Sequence, residues 1–305
     1  MTKTTVSGHE PFVRMSKRAE ALPRWRAWGI RLIGLALALI VCALVIVLIV
    51  NMSPLKVYGA MFEGAFGTVK RSWVTVRDAM TMLCIAVGLA PAFKMKFWNI
   101  GAEGQILAGG IATAACMLYF KNLPAPLLFL VMIVTSLIAG GIWGLVPGIF
   151  KAKWNTNETL FTLMMNYIAI QLTSYCVSLW EHPFGSNTVG IINQDNMAGW
   201  LPNMFSAGYN KDYGWNVVLV MVLAVGMYLY LAKSKHGYEI AVIGDSENTA
   251  RYAGIRVNRV YIRTMALSGA ICGFAGFIAV SGASHTISTD TAGGRGFTAI
   301  IVAWL

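Results

Sequence analysis

Long apolar runs separated by short polar stretches dominate the chain. Seven such segments lie at about 29–50, 78–93, 104–120, 124–150, 159–179, 214–232 and 264–283, and an eighth begins near 297. The first run contains Arg31 as its only charge and is long enough to cross a hydrocarbon core of about 30 Å as a helix. The pattern predicts an all-α polytopic integral membrane protein with seven transmembrane segments plus the start of an eighth.

The eighth run stops without a polar flank. Nine residues follow Gly296. A helix of that length rises about 13 Å, which is less than half of a bilayer core. We therefore expect the chain to be truncated at its C-terminus.

Lys and Arg residues cluster at the ends of the apolar runs. Charged residues make up only 12% of the chain, and the net charge is +11. Sixteen Lys and Arg residues fall in the loops on one side and seven on the other, which places the N-terminus in the cytoplasm. A nucleic-acid-binding protein would instead gather its basic residues on one soluble face, so we exclude that class.

This orientation divides the chain into parts. Residues 1–28 form a basic cytoplasmic segment, and residues 29–305 form the transmembrane domain. Within that domain, 233–263 is the main cytoplasmic loop and 180–213 the main external loop, while 94–103 is cytoplasmic and 284–296 external. The outer piece 51–77 is expected to hold an amphipathic element that rests on the membrane with Met61, Phe62 and Phe66.

Enzyme chemistry and metal binding find no support in the residue pattern. The five cysteines all fall inside apolar segments, where free thiols are expected, and the four histidines are scattered. Ser281, Ser284 and His285 have no acid placed beside them. The chain also contains no glycine-rich phosphate loop. We therefore expect no catalytic residue, no metal and no cofactor bound by this chain.

Polar residues interrupt the apolar pattern between 97 and 105. Asn99, Glu103 and Gln105 stand there among glycines, and Asn166 lies two turns into the fifth segment. Such side chains survive at membrane depth only beside protein or water. The stretch is therefore either a cytoplasmic elbow or the lining of a polar path. For Asn166, an interhelix hydrogen bond and a contact with substrate both remain open.

The cytoplasmic loop 233–263 contains the pattern of a short capped helix at about 246–253. The expected N-cap is Asp245 or Ser246, and Gly254 suits the position just after the helix. The pattern places Ala250, Tyr252 and Ala253 where they can pack, and leaves Glu247, Arg251 and Arg256 exposed. The helix is either a docking element for a soluble partner or an ordinary connector.

Glycines recur every fourth residue in two segments. They are Gly140, Gly144 and Gly148 in the fourth segment, and Gly269 and Gly273 in the seventh. This spacing puts each set on one helix face and lets backbones approach closely. Packing within the subunit is the favoured interpretation, with a seam between two subunits as the alternative.

Three motifs in the same order resemble the permease subunits of bacterial ABC importers. They are the stretches 99–105 (NIGAEGQ), 157–168 (NETLFTLMMNYI) and 250–255 (ARYAGI). The similarity is greatest to the nucleoside and simple-sugar branch, which is related to the branched-chain amino acid permeases, and it covers about 78–305. One departure is that Glu247-Asn248-Thr249-Ala250 replaces the usual Pro-Glu-Ala-Ala run.

The resemblance implies a subunit of the bacterial cytoplasmic membrane that forms the path for a small polar metabolite, namely nucleosides, with simple sugars or branched-chain amino acids as the alternative. ATP and Mg²⁺ would be used by a separate cassette ATPase, which docks on a coupling helix. Carried over, that helix is residues 245–254. A second permease subunit would complete the path, and an external substrate-binding protein would dock on loop 180–213.

The expected substrate contacts are neutral hydrogen bonds and ring stacking. Asn99, Glu103, Gln105 and Asn166 would supply the hydrogen bonds, and Phe97 or Trp98 would stack on a ring. An ion-coupled secondary transporter is the alternative from another class, and Glu103 is its best candidate for an intramembrane carboxylate.

Overall fold

The computed structural model describes residues 23–205 and 212–304, and every regular element within those ranges is helical. The α-helices are α1 (Arg24–Val45), α2 (Pro54–Phe66), α3 (Val69–Lys94), α4 (Ala102–Tyr119), α5 (Ala125–Trp154), α6 (Glu158–Trp180), α7 (Gly214–Lys233), α8 (Lys235–Asp245), α9 (Glu247–Tyr252), α10 (Val257–Ala279) and α11 (Arg295–Trp304). π-helical turns extend α1 over Ile46–Val50 and α10 over Val280–Ser284. The chain divides into two compact units, one up to Gly64 and one from Ala65 onward.

The first unit is built around α1. None of its described apolar side chains is buried, which suits a helix surrounded by lipid. Asn51, with a left-handed backbone, ends the helix, and α2 begins at Pro54. The Tyr58 hydroxyl donates to the Leu39 carbonyl oxygen at 2.7 Å and ties α2 back to α1. Helix α2 confirms that a helical element occupies the stretch 51–77. Most of the basic segment 1–28 lies outside the described residues.

In the second unit, α10 is the central helix, with α3, α4 and α5 packed around it. The two rows of glycines face each other across α5 and α10. A methyl group added to Gly140 would collide with the Gly269 carbonyl oxygen, and one added to Gly273 would collide with the Ser136 carbonyl oxygen. Such close approach of two helix backbones requires glycine. The prediction of packing within the subunit is confirmed.

Within the residues that the structure describes, six helical stretches are long and apolar enough to cross a membrane. They are Trp28–Val50, Val69–Lys94, Ala125–Trp154, Glu158–Trp180, Gly214–Lys233 and Val257–Ser284. The third predicted segment corresponds to α4, whose 18 residues are mostly buried in protein. Length and composition therefore give six spans instead of the predicted seven.

Two predicted segment boundaries are wrong. Helix α3 begins at Val69 instead of 78, and α10 begins at Val257 instead of 264. In both cases the first turns carry Lys and Arg residues, which the hydropathy pattern assigned to loops. The hydroxyl of Thr68 caps α3 by accepting a hydrogen bond from the Arg71 N–H at 3.2 Å. Helices extend beyond their apolar part when such caps and charges lie at the membrane surface.

The described part of loop 180–213 folds against the far end of α10. The Ile192 N–H donates to the His285 carbonyl oxygen at 2.8 Å, and the Leu201 N–H donates to the Ser281 carbonyl oxygen at 3.1 Å. The Trp200 ring stacks on the His285 ring with 3.8 Å between centroids. This loop is therefore a packed cover on the end of α10.

Candidate functional site

The stretch 97–105 is a buried elbow between α3 and α4. Asn99 is fully buried at its centre. Its Nδ2 donates to Ser268 Oγ of α10 at 3.2 Å and to Gln105 Oε1 at 3.4 Å, while its Oδ1 accepts from the Gly101 N–H at 3.0 Å. A buried amide is stable only when its donors and acceptors are satisfied. Asn99 therefore fastens the elbow to α10, and Gln105 holds the Asn99 amide in place.

Asn166 fastens the same elbow to α6. Its Oδ1 accepts from the Gly104 N–H at 2.8 Å, and its Nδ2 donates to the Ile100 carbonyl oxygen at 2.9 Å. Thr162, one turn earlier, accepts from the Ile100 N–H at 3.2 Å through its hydroxyl. These side chains satisfy backbone groups that have no helical partner at the start of α4. The interhelix interpretation of Asn166 is confirmed, and its contact with substrate stays a prediction.

Glu103 joins the start of α4 to the start of α11. Its Oε1 accepts from the Gly294 N–H at 2.7 Å and its Oε2 from the Gly296 N–H at 2.8 Å, and the residue is 7% exposed. The first N–H groups of a helix lack intrahelical acceptors and carry partial positive charge. The carboxylate of Glu103 thus caps α11 from a neighbouring helix.

This contact conflicts with the predicted placement of residues 94–103 and 284–296 on opposite sides of the membrane. Gly294 and Gly296 lie beside the first turn of α4, so the two placements cannot both hold for these residues. Ile287 lies two turns further along α4, beside Gly110. The irregular backbone 285–294 therefore returns from the end of α10 into the unit, and α11 continues from there. We call residues 285–304 the broken segment.

An aromatic cluster lies where the broken segment passes the elbow. Trp98 stacks on Trp304 with 4.9 Å between ring centroids, and Phe93 meets the edge of Trp98 at 5.8 Å. Phe97 points into the core and is 1% exposed, whereas Trp98 is 40% exposed. Of the two rings predicted to stack on a substrate, only Trp98 keeps exposed surface.

An ion-paired cluster, which the sequence analysis did not identify, joins α3 to the broken segment. Asp78 Oδ1 lies 2.9 Å from an Arg77 guanidinium nitrogen and 3.2 Å from Arg295 Nη2. Thr81 and Ser284 line the adjoining cavity of about 90 Å³. The sequence does place a carboxylate, Asp78, and an arginine, Arg295, at the borders of two apolar segments. It could not show that these two borders meet in the folded chain.

The predicted short helix in the cytoplasmic loop is present as α9. Ser246 is its N-cap, with Oγ accepting from the Thr249 N–H at 3.3 Å, and Asp245 instead ends α8. Gly254 has φ +76°, and the Ile255 N–H donates to the Ala250 carbonyl oxygen at 3.0 Å. This is a Schellman cap. The helix and its caps are confirmed.

The predicted packing face of α9 is wrong in part. Ala250 is fully buried, but Tyr252 is 93% exposed, and Ala253 is exposed as well. Two residues along a helix correspond to a rotation of about 200°, so Tyr252 must face away from the surface that buries Ala250. Glu247 and Arg251 are exposed, as predicted, and pair with each other at 2.6 Å. The loop thus presents a bare tyrosine ring.

Most of the chain matches a known protein family. A family model described as "Branched-chain amino acid transport system / permease component" matches residues 74–305. The chain is 32% identical to the guanosine ABC transporter permease protein NupP of Bacillus subtilis, over 90% of this chain and 78% of the relative. No solved structure gives a significant match.

The names of two further relatives indicate different classes of solute. The glucose ABC transporter permease protein TsgB13 of Haloferax volcanii is 28% identical over 93% of this chain and 76% of its own length. The nucleoside ABC transporter permease protein NupB of Lactococcus lactis is 25% identical over 77% of this chain and 65% of its own length.

Proposed function

Because the chain belongs to the family of branched-chain amino acid transport system permease components, we propose that it forms the membrane path of an ATP-driven importer of nucleosides. The main support for nucleosides as the substrate class is the 32% identity to the guanosine permease over most of both chains. The chain is a multi-pass protein of the cytoplasmic membrane, in agreement with its apolar helices. Simple sugars are the second candidate, favoured by the relative named for glucose.

We further propose that α4 and the broken segment both belong to the membrane part. Helix α4 is surrounded by protein, and irregular backbone such as 285–294 is tolerated at membrane depth where it is buried in protein or lines a cavity. The six apolar spans together with α4 then correspond to the seven predicted segments, and the broken segment corresponds to the predicted eighth.

In this proposal the path runs beside the elbow and the broken segment. Irregular backbone meets the first turns of two helices there, an arrangement that membrane transporters use at their binding sites. Asn99, Gln105 and Asn166 act by holding the elbow in place, and Glu103 acts by holding α11. Trp98 offers ring surface on which a nucleobase can stack.

The proposed partner on the cytoplasmic side is a cassette ATPase that docks on α9. This ATPase, and not the permease, would bind ATP and Mg²⁺. An exposed aromatic ring on a firmly capped helix is typical of the anchor residues that dominate protein interfaces, and Tyr252 has that character. A second permease subunit and an external substrate-binding protein on loop 180–213 complete the proposed assembly.

Uptake in vesicles tests the function. Vesicles that contain the chain with its second permease subunit, binding protein and cassette ATPase are expected to accumulate labelled guanosine in the presence of ATP, and vesicles without the ATPase are expected not to. Excess unlabelled glucose should leave guanosine uptake unchanged if the substrate is a nucleoside. Uptake that persists without the ATPase and collapses with the proton gradient would instead favour the ion-coupled alternative.

A further inference from the structure

A cavity of about 400 Å³ opens between the start of α8, the residues after α9 and the first two turns of α10. Its volume is in the range of small-molecule sites. Its polar walls carry the side chains of Lys235, His236, Glu239, Arg256, Arg259 and Arg263. The backbone of Ala253–Ile255, which forms the C-terminal cap of α9, closes another side.

Positive charge in this cavity is only partly balanced. Arg263 Nη2 lies 2.9 Å from Glu239 Oε2, so the single lining carboxylate already has a partner. Within the part of the chain that the structure describes, Lys235, Arg256 and Arg259 make no ion pair. Like charges gathered around one cavity repel each other until an anion enters.

The arginines of the cavity also suit a phosphate group. Arg256 and Arg259 line it and make no ion pair within the described residues. The planar guanidinium fork of arginine matches the oxygens of a phosphate group. The cavity therefore combines unbalanced charge and suitable volume with donors of the right geometry.

The position of the cavity indicates where the phosphate comes from. Lys235 follows the end of α7 directly, and Arg256 precedes α10, and both helices are apolar enough to cross the membrane. The cavity thus lies where two spans leave the bilayer, on the side that the Lys and Arg distribution assigns to the cytoplasm. Basic pockets between helices on that side bind the headgroups of anionic lipids.

We propose that this cavity binds a phosphate group, and that its occupant is the headgroup of an anionic phospholipid of the cytoplasmic leaflet. The same headgroup would then touch the C-terminal cap of α9. This inference is independent of the proposed function, because binding requires neither the ATPase nor a transported solute.

Binding to the purified full-length chain in neutral detergent tests the proposal. The probe is short-chain phosphatidylglycerol, with short-chain phosphatidylcholine and inorganic phosphate as comparison ligands, each followed by calorimetry. We expect saturable binding of phosphatidylglycerol and none of phosphatidylcholine. The double variant Arg256→Gln/Arg259→Gln should bind phosphatidylglycerol about 30-fold more weakly, as expected for the loss of two interfacial charges.

Two controls make the result specific. Lys96→Gln/Lys153→Gln removes the same charge from exposed positions outside the cavity and should bind like the unmodified chain. Arg256→Lys/Arg259→Lys should recover most of the affinity. Inorganic phosphate binding as tightly as the lipid would support the phosphate site but overturn the lipid source. Absence of all binding, or equal binding by the Arg→Gln variant, would overturn the site.

Discussion

Among single residues, Glu103 has the clearest structural task. Each of its carboxylate oxygens accepts from one backbone N–H of the broken segment. In Glu103→Gln, one oxygen becomes an NH₂ group that faces an N–H donor. The expected cost is about 1–3 kcal/mol, the penalty for a buried donor left unsatisfied. Thermal unfolding of the purified variant should show a lower midpoint.

Glu247→Gln is the matched control for Glu103→Gln. Glu247 also lies in the first turn of a helix, and it pairs with Arg251 at 2.6 Å. The Glu247 and Arg251 side chains are 44% and 62% exposed, so the loss of this pair should cost little. Equal shifts in both variants would contradict the capping role of Glu103.

Tyr252 supports a second residue-scale prediction. Tyr252→Ala should leave the chain folded, since the ring is 93% exposed, but it should weaken stimulation of ATP hydrolysis by substrate by about tenfold or more if the ring is an interface anchor. Tyr228→Ala removes a similarly exposed ring from α7 and should have no effect. A similar loss of stimulation in the two variants would argue against docking at α9.

Residue types in the elbow were predictable, but their partners were not. The apolar surroundings require that Asn99, Gln105 and Asn166 be satisfied by protein or water, and the structure supplies protein partners. Sequence spacing could not assign Ser268 to Asn99 or Gly294 to Glu103, because those pairs are 169 and 191 residues apart. The chemistry of each residue is local, whereas its role depends on the packing of distant helices.

At the level of elements, the contact of α5 with α10 depends on two rows of glycine. Gly140→Ala would press a methyl group against the Gly269 carbonyl oxygen, while Gly141→Ala meets nothing closer than 3.4 Å. We expect Gly140→Ala to destabilise the protein by about 1–3 kcal/mol, as overpacking does, and Gly141→Ala to be neutral. The midpoint of thermal unfolding separates the two, and a neutral Gly140→Ala would show that the helices can move apart.

The helix ends show which elements sequence can define. Caps at Ser246 and Gly254 were predictable, because their short-range hydrogen bonds depend on residue type. The starts of α3 and α10 were not, because charged first turns resemble loops in a hydropathy pattern. The broken segment was also missed, because the apolar residues after Gly296 look like the start of an ordinary span, while the first turn of their helix is held by Glu103 on another helix.

For the whole molecule, the orientation in the membrane is directly testable. Phe184 lies in loop 180–213 and is 96% exposed, and Asn248 is an exposed residue of α9. With a membrane-impermeant maleimide, Phe184→Cys should be labelled on intact cells and Asn248→Cys only after permeabilisation. The unmodified chain, with its five cysteines, gives the background. The opposite labelling pattern would reverse the assigned orientation.

The contact between Glu103 and the broken segment also constrains how the protein is made. The carboxylate precedes its two donors by 191 and 193 residues. At synthesis rates of about 5–20 residues per second, it waits roughly 10–40 s for them to emerge from the ribosome. During that time the first turn of α4 must stay hydrated or be held by the insertion machinery, since a lone carboxylate is costly in hydrocarbon. Biogenesis of this membrane core therefore includes a docking step that no single helix can complete by inserting on its own.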